Sequence, residues 1–334
     1  MSRRPVRVAI NGFGRIGRTL ARQILGGTTG IQLVHVNDIE AGDLLAYLFA
    51  YDSVFGPWPD PVVASGGTLI TGPHSIRLTR EADISGLDLS DVDIVMECTG
   101  RAGTRAVVEQ GLSAGARRVL VSGPSAAADV TVVLGANEDT LAGQPVVSNA
   151  SCTTNALAPL LRVLDEGWGV ESGHMTTVHC YTGSQPTIDK PRGTPERSRA
   201  AALSMVPTTT SAGTLIGTVL PHLAGRVEAR AIRVPTASVS AIDLTVSTRR
   251  PAAAAAINER LRAAAEESPV FGWIEAPLVS SDLRGRCESV IVNGAETSVN
   301  AGGLLRVFGW YDNEWGFSCR MLEMARRMAA VAIR

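Results

Sequence analysis

Val8-Ala9-Ile10-Asn11-Gly12-Phe13-Gly14-Arg15-Ile16-Gly17-Arg18, continuing as Thr19-Leu20-Ala21-Arg22-Gln23-Ile24-Leu25, is the stretch whose reading decides the architecture. The apolar, β-branched run Arg7–Ile10 reads as a short strand, and behind it Ile16, Leu20 and Ile24 recur at helical spacing. Gly26 and Gly27 stop that helix. Gly12, Gly14 and Gly17 form a GxGxxG turn between them, with Arg15 and Ile16 opening the helix. Glycines there let the backbone close on a pyrophosphate at the helix N-terminus. Asp38 ends the next strand, Ile31–Val36, 21 residues after Gly17. A carboxylate at that place can hydrogen bond the ribose hydroxyls of NAD and should repel a 2′-phosphate.

Outward from this stretch the alternation continues. Strands are expected at Val92–Cys98, Arg118–Ser122 and Val130–Gly135, with a helical stretch reaching about Ala114. Strand and helix in turn require a parallel, doubly wound sheet, so residues 1–150 read as a Rossmann-type dinucleotide-binding domain. Near Ala150 the texture changes. A helix from Cys152 to about Leu164 precedes long β-rich segments such as TTVHCYT, AIRVPT, VSAIDLTVS and LLRVFGWYD, which predict an α+β second domain with a mostly antiparallel sheet over 151–316. Phe317–Ile333 has helical spacing, and this last stretch, to 334, is expected to pack back on the first domain. A chain of 334 residues is long enough for two such domains.

Composition narrows the partners. A hydrophobic share of 45%, 19% charged residues and a net charge of -1 describe an ordinary globular chain whose charge favours neither nucleic acid nor an anionic membrane. The basic start is followed by an apolar run that stops at Asn11, too short for a signal-peptide core, and no span of about 18 apolar residues follows. A cytoplasmic protein acting on a small molecule is expected. Five cysteines, an odd number without a CxxC pair, argue against a disulfide framework and against a metal site. Lys190 is the only lysine.

One thiol stands apart from the rest. Cys152 follows a strand and opens a helix, where the dipole and free amides favour thiolate. His179, 27 residues on in TTVHCYT, can take up a proton across a cleft. Cys98, Cys180, Cys287 and Cys319 lie in apolar or strand-like settings and read as packed thiols.

The blocks NGFGRIGR (Asn11–Arg18), VND (Val36–Asp38), SNASCTTNALAP (Ser148–Pro159), RVPT (Arg233–Thr236) and WYDNEWGFS (Trp310–Ser318) follow one another in a recognisable order. Together they resemble the phosphorylating glyceraldehyde-3-phosphate dehydrogenase family over essentially the whole chain. The resemblance implies Cys152 as nucleophile and His179 as base in the NAD-dependent oxidation of a phosphorylated aldehyde, through a thioester that inorganic phosphate opens. It implies Asn313 as the residue that holds the nicotinamide carboxamide, and Arg80, Thr99 and Ser122 as further cofactor contacts. Thr182 and Arg233 fall to the substrate's phosphate, and Ser151, Thr153, Arg197, Thr210 and Ser211 to the attacking phosphate. A homotetramer is implied as well, with the loop of Lys190 reaching a neighbouring subunit's adenosine ribose, where a cation would permit NADP beside NAD.

The chain also departs from the family. Ser211 stands where glycine is usual, Thr214 where lysine is common, Gly183-Ser184 where a more polar pair is frequent, Phe317 for tyrosine and Ala156 for a second cysteine. Ser184, Ser211 and Thr214 bear on the anion sites, so erythrose 4-phosphate or another phosphorylated aldehyde is the alternative substrate. A non-catalytic binding or regulatory homologue is the alternative of another class. The intact set of Cys152, His179, Asn313 and Arg233 speaks against it.

Overall fold

The computed structural model of the chain describes residues 4–332. Two compact units are present: one runs to Val132 and takes in Asp139–Ala150 and the stretch from Ser318 onward, the other comprises Val133–Glu138 and Ser151–Phe317.

In the first unit β1 (Val6–Asn11), α1 (Arg15–Leu25) and β2 (Ile31–Asn37) form the opening βαβ. The sheet has nine strands in the order Val130–Thr131, Val146–Ser148, Arg118–Val121, Ile94–Glu97, β1, β2, His74–Thr79, Thr68–Thr71, Val62–Ser65. The first seven run parallel and the last two close the edge antiparallel. From β1 the chain first winds outward through β2 and later returns to lay Ile94–Glu97 on the other side. The order therefore reverses between β1 and Ile94–Glu97, and a crevice opens at their carboxyl ends.

α1 buries Leu20, Ala21 and Ile24, and each large aliphatic side chain so buried contributes about 1.5–3 kcal/mol. The helix stops where Gly26 donates back to the Arg22 carbonyl and Gly27 turns at φ 110. Two expected elements are shorter than their sequence pattern. Val130–Gly135 is strand only over Val130–Thr131, because the Val133 amide donates to the Asn137 side chain and the Gly135 amide to the Glu138 carboxylate. Side-chain acceptors have replaced the ladder. The helical stretch before Ala114 is two short pieces, Arg105–Val108 and Gln110–Ser113.

A polar chain, starting at the exposed Arg77 and ending among buried groups, crosses the sheet beneath the crevice. Arg77 Nη2 donates to His35 Nδ1 (2.9 Å), His35 Nε2 donates to Thr79 Oγ1 (2.7 Å), and Thr79 Oγ1 donates to Asn37 Oδ1 (2.8 Å). Asn37 Nδ2 then donates to Asn11 Oδ1 (2.8 Å), and Asn11 Nδ2 to Glu97 Oε2 (2.6 Å). The roles are self-consistent only if His35 is neutral with its proton on Nε2.

The second unit's sheet runs Val206–Thr208, Val227–Val234, Val170–Cys180, Ser240–Thr248, Leu305–Tyr311, Val290–Asn293, Phe271–Ile274, with Ser298–Val299 also paired to Leu305–Tyr311. Two pairings are parallel, Val170–Cys180 with Val227–Val234 and Phe271–Ile274 with Val290–Asn293; the others are antiparallel. In Val170–Cys180 the side chains alternate, Met175, Thr177 and His179 buried, His174 and Val178 exposed. The helix Cys152–Trp168 is buried along most of its length and contacts this sheet. The last helix is Trp315–Ala330, starting before Phe317 because the Asp312 carboxylate accepts the Glu314 and Trp315 amides. Ile333 and Arg334, where the expected helix ended, lie outside the described residues.

Burial, and then the charge of Arg77, lower the His35 pKa from 6.5 to about 4. An imidazole that binds its proton less well when folded takes one up on unfolding, so stability is intact above pH 6.5 and falls as pH drops toward 4. The thermal midpoint should decline through that window, and less steeply in His35→Gln; equal slopes in parent and variant would remove His35 as a source of the acid sensitivity.

Candidate active site

The crevice of the first unit encloses about 430 Å³ and is lined by Gly12, Gly14, Asp38, Cys98 and Thr99 among others. Gly12 lies at φ 93, and a Cβ on it would meet the Cys98 and Thr99 backbone at 2.7 Å. A Cβ on Gly17 would stand 2.1 Å from the Gly12 carbonyl, so this glycine is what lets α1 rest against the turn. Gly14 caps α1 without a side-chain hydrogen bond and has nothing within 4 Å of an added Cβ. Gly12 and Gly14 line the crevice where α1 begins, and the free amides of a helix N-terminus suit a pyrophosphate. Asp38 Oδ2 accepts the Phe13 amide at 2.6 Å and Oδ1 that of Glu40 at 3.0 Å, which holds the carboxylate at the rim with further lone pairs to offer.

Other expected cofactor residues fall less directly here. Thr99 is at the crevice, its amide donating to Glu97 Oε1 at 2.9 Å. Ser122 ends the Arg118–Val121 strand, where its amide donates to the Glu97 carbonyl. The Arg15 guanidinium pairs with Asp52, and Arg80 is exposed and donates to the Ile39 carbonyl. Asn11, Asn37 and Glu97, which the spacing did not single out, form the floor.

In the second unit Ser151 caps the helix Cys152–Trp168, its Oγ accepting the Thr154 amide at 3.1 Å. Cys152 is the first helical residue, and its Sγ lies 3.7 Å from His179 Nε2. His179 faces Arg233 across the parallel strand pair. Behind the ring, Nδ1 is 2.7 Å from the Cys180 carbonyl oxygen, and Arg233 Nη1 is 2.8 Å from Nδ1 and 3.0 Å from that oxygen. An unprotonated Nδ1 would set two acceptors against each other at 2.7 Å. The shorter contact puts the proton on Nδ1, donated to the Cys180 carbonyl, which leaves Nε2 a lone pair directed at the thiol; Arg233 Nη1 then shares that carbonyl and meets Nδ1–H as donor against donor.

Burial, then Arg233, lower the His179 pKa to about 4. Burial outweighs the backbone amides of Cys152 and Thr153, which lower the thiol pKa as expected at the helix terminus. Protein surrounds Cys152 closely although the residue is only half-buried, and burial pushes its thiol up, opposed by Arg233 and by the hydroxyl and amide of Thr153. The helix terminus and Arg233 favour the anion formed at attack.

Tyr311, which sequence reasoning missed, ties the two groups together. It is 1% exposed, its hydroxyl is 2.9 Å from Thr153 Oγ1 and 2.7 Å from Thr177 Oγ1, and its ring stands edge-on to that of His179 at 6.0 Å. The Thr153 hydroxyl is thereby engaged inside the unit. Around the other expected anion residues, Thr182 Oγ1 is 2.9 Å from Ser184 Oγ. Arg197 Nε donates to Thr208 Oγ1 at 2.7 Å and Nη2 approaches Thr209, which brings Arg197 beside Thr210 and Ser211. Ser211 precedes the helix Ala212–Val219 at φ -72, a conformation any residue adopts, so serine for glycine costs no strain there. Thr214 is exposed on that helix and Lys190 is exposed in its loop. Of the four remaining thiols, Cys180 is buried and Cys98 and Cys319 are half-buried. Cys287 is exposed, a correction to its packed reading that follows from its place in the turn before Val290–Asn293.

Gly14→Ala should leave thermal stability unchanged while weakening NADH binding, whereas Gly17→Ala should lower both; a Gly17→Ala variant with parental stability would contradict the close approach at Gly12.

Residues 151–313 match the family model described as glyceraldehyde 3-phosphate dehydrogenase, C-terminal domain, and residues 6–105 match that of its NAD binding domain. The chain is 46% identical to glyceraldehyde-3-phosphate dehydrogenase of Xanthobacter flavus over 97% of this chain and 98% of the relative. It is 44% identical to that of Cereibacter sphaeroides over 97% and 98%, and 41% identical to glyceraldehyde-3-phosphate dehydrogenase 2 of Bacillus subtilis over 97% of each.

Proposed function

The chain belongs to the glyceraldehyde-3-phosphate dehydrogenase family, and from that premise we propose that it oxidises glyceraldehyde 3-phosphate to 1,3-bisphosphoglycerate, with Cys152 as nucleophile and His179 as base. The observation that carries the assignment is the Cys152 Sγ to His179 Nε2 approach of 3.7 Å, with Nδ1 on the far side of the ring held by the Cys180 carbonyl, to which Arg233 also donates.

NAD, when bound, supplies the hydride acceptor. The chain's residues do the rest. His179 Nε2 takes the Cys152 proton as sulfur attacks the aldehyde carbon, returns it to the new oxygen to give a thiohemiacetal, and takes it again as hydride leaves that carbon. The product on Cys152 is a thioester. A phosphate oxygen then attacks its carbonyl, the carbon–sulfur bond breaks, and the thiolate leaves, stabilised by the helix terminus and Arg233. Among the described residues Arg233 Nε and Nη2 have no hydrogen-bond partner, which suits them to the substrate's phosphate together with Thr182. Arg197, Thr210 and Ser211 serve the attacking phosphate, with Ser151 and Thr153 contributing from the helix terminus.

In the first unit Gly12, Gly14, Arg15, Ile16 and Gly17 hold the dinucleotide's pyrophosphate by their backbone, Asp38 the ribose, and Arg80, Thr99 and Ser122 line its course; Asn313 holds the nicotinamide carboxamide. A homotetramer in the cytoplasm, serving glycolysis, completes the reading. No helix among the described residues is long and apolar enough to cross a membrane. Lys190 gives the enzyme some use of NADP beside NAD: Lys190→Ala should lower the NADP/NAD ratio of kcat/KM, and an unchanged ratio sinks the idea.

Initial rates of NADH formation with glyceraldehyde 3-phosphate and erythrose 4-phosphate, each with and without inorganic phosphate, test the reaction. A phosphate-dependent rate favouring the three-carbon substrate is expected; preference for erythrose 4-phosphate would overturn the substrate assignment. Cys152→Ser should abolish phosphorylating oxidation while NAD binding persists, and His179→Asn should lose on the order of 10²- to 10⁴-fold in rate, the usual cost of a missing general base. Near-parental turnover in either would remove that residue from the mechanism.

A further inference from the structure

Asn313 is 6% exposed, and its carboxamide is held from one end only. Oδ1 receives the Cys180 thiol at 3.1 Å and the Ser240 hydroxyl at 3.2 Å. Both donors are fully buried. The Cys180 amide donates to Ser240 Oγ at 3.2 Å, so the hydroxyl's single proton points away from that amide. Its choices are Asn313 Oδ1 or, at 3.6 Å, Cys180 Sγ, the poorer acceptor. The thiol stays protonated at neutral pH, since burial pushes it up to about 12. A flipped amide would leave the Ser240 hydroxyl only the poorer Sγ acceptor at 3.6 Å and take the thiol's acceptor away. Among the described residues Nδ2 has no acceptor, so its two protons are offered outward.

We propose that Cys180 and Ser240 are positioning residues that lock the Asn313 amide with Oδ1 inward, so that Nδ2 presents a fixed donor to a carbonyl acceptor on the ligand. The proposal rests on the reading of Asn313 as the holder of the nicotinamide carboxamide. It gives the neighbouring residues His179 and Cys180 separate tasks, the imidazole serving the reacting carbon and the thiol serving the cofactor's orientation through Asn313. A carboxamide recognised this way is read by its oxygen, and a dinucleotide fragment that lacks it gains nothing from the lock.

The test is equilibrium binding of NAD and of ADP-ribose to the parent, Cys180→Ala, Ser240→Ala, the double variant, and the donor-retaining Cys180→Ser and Ser240→Thr. In the parent NAD should bind more tightly than ADP-ribose. In the double variant that preference should shrink about tenfold, a loss of about 1.4 kcal/mol, with ADP-ribose affinity unchanged. The single alanine variants should fall between, and Cys180→Ser should keep the parental preference. An unchanged NAD/ADP-ribose ratio in the double variant, an equal loss of both ligands, or a parent that does not distinguish them would each overturn the proposal. Since no substrate enters this measurement, a failure to oxidise glyceraldehyde 3-phosphate would strike the substrate assignment and not the lock; a parent that binds neither ligand would remove both readings.

Discussion

A guanidinium held 2.8 Å behind an imidazole, with one carbonyl oxygen accepting from both, is the interaction on which the second unit's chemistry rests. The carbonyl selects the tautomer that leaves Nε2 with a lone pair, and the guanidinium penalises a positive charge on the ring. Arg233 also bears on the thiol, favouring the anion that appears only during attack. A single half-buried cation thereby lowers the base's affinity for a proton and favours the nucleophile's anion. The parallel pairing of Val170–Cys180 with Val227–Val234 makes this possible, since it places His179 and Arg233 as partners.

The first unit solves a different problem, how to keep polar side chains under a crevice that must bind charged groups. The chain from the exposed Arg77 through His35, Thr79, Asn37 and Asn11 to Glu97 pairs these groups with one another in sequence, crossing four strands at their carboxyl ends. Such a network is rigid because every member needs its neighbour. It sits beneath the glycine turn, so the backbone amides above it are presented on a fixed floor.

What could be read from the sequence was whatever depends on close neighbours in the chain. The strand, glycine turn and helix of Val8–Leu25 declare themselves by spacing, and Asp38 by its distance from them. Cys152 is marked by opening a helix after a strand. Tyr311, Ser240 and Glu97 carry no such mark. Tyr311 lies 158 residues from Thr153 and 134 from Thr177, and only the register of the sheet brings their hydroxyls together. Cys180 reads as one packed thiol among several, and it is packed; that its proton points at Asn313 is a fact of tertiary placement. The strand expected through Gly135 failed for a local reason that composition hides, since Asn137 and Glu138 capture amides that a ladder would have used.

The strand Val170–Cys180 ends in two adjacent residues turned to opposite faces, His179 toward Cys152 and Cys180 toward Asn313 and Ser240. On a pleated strand, parity carries the meaning. Loss or gain of one residue before this pair would exchange the two faces and hand a thiol the place of the base, whereas a change of two would preserve the assignment. Descendants of this chain can therefore edit the strand itself only in even steps.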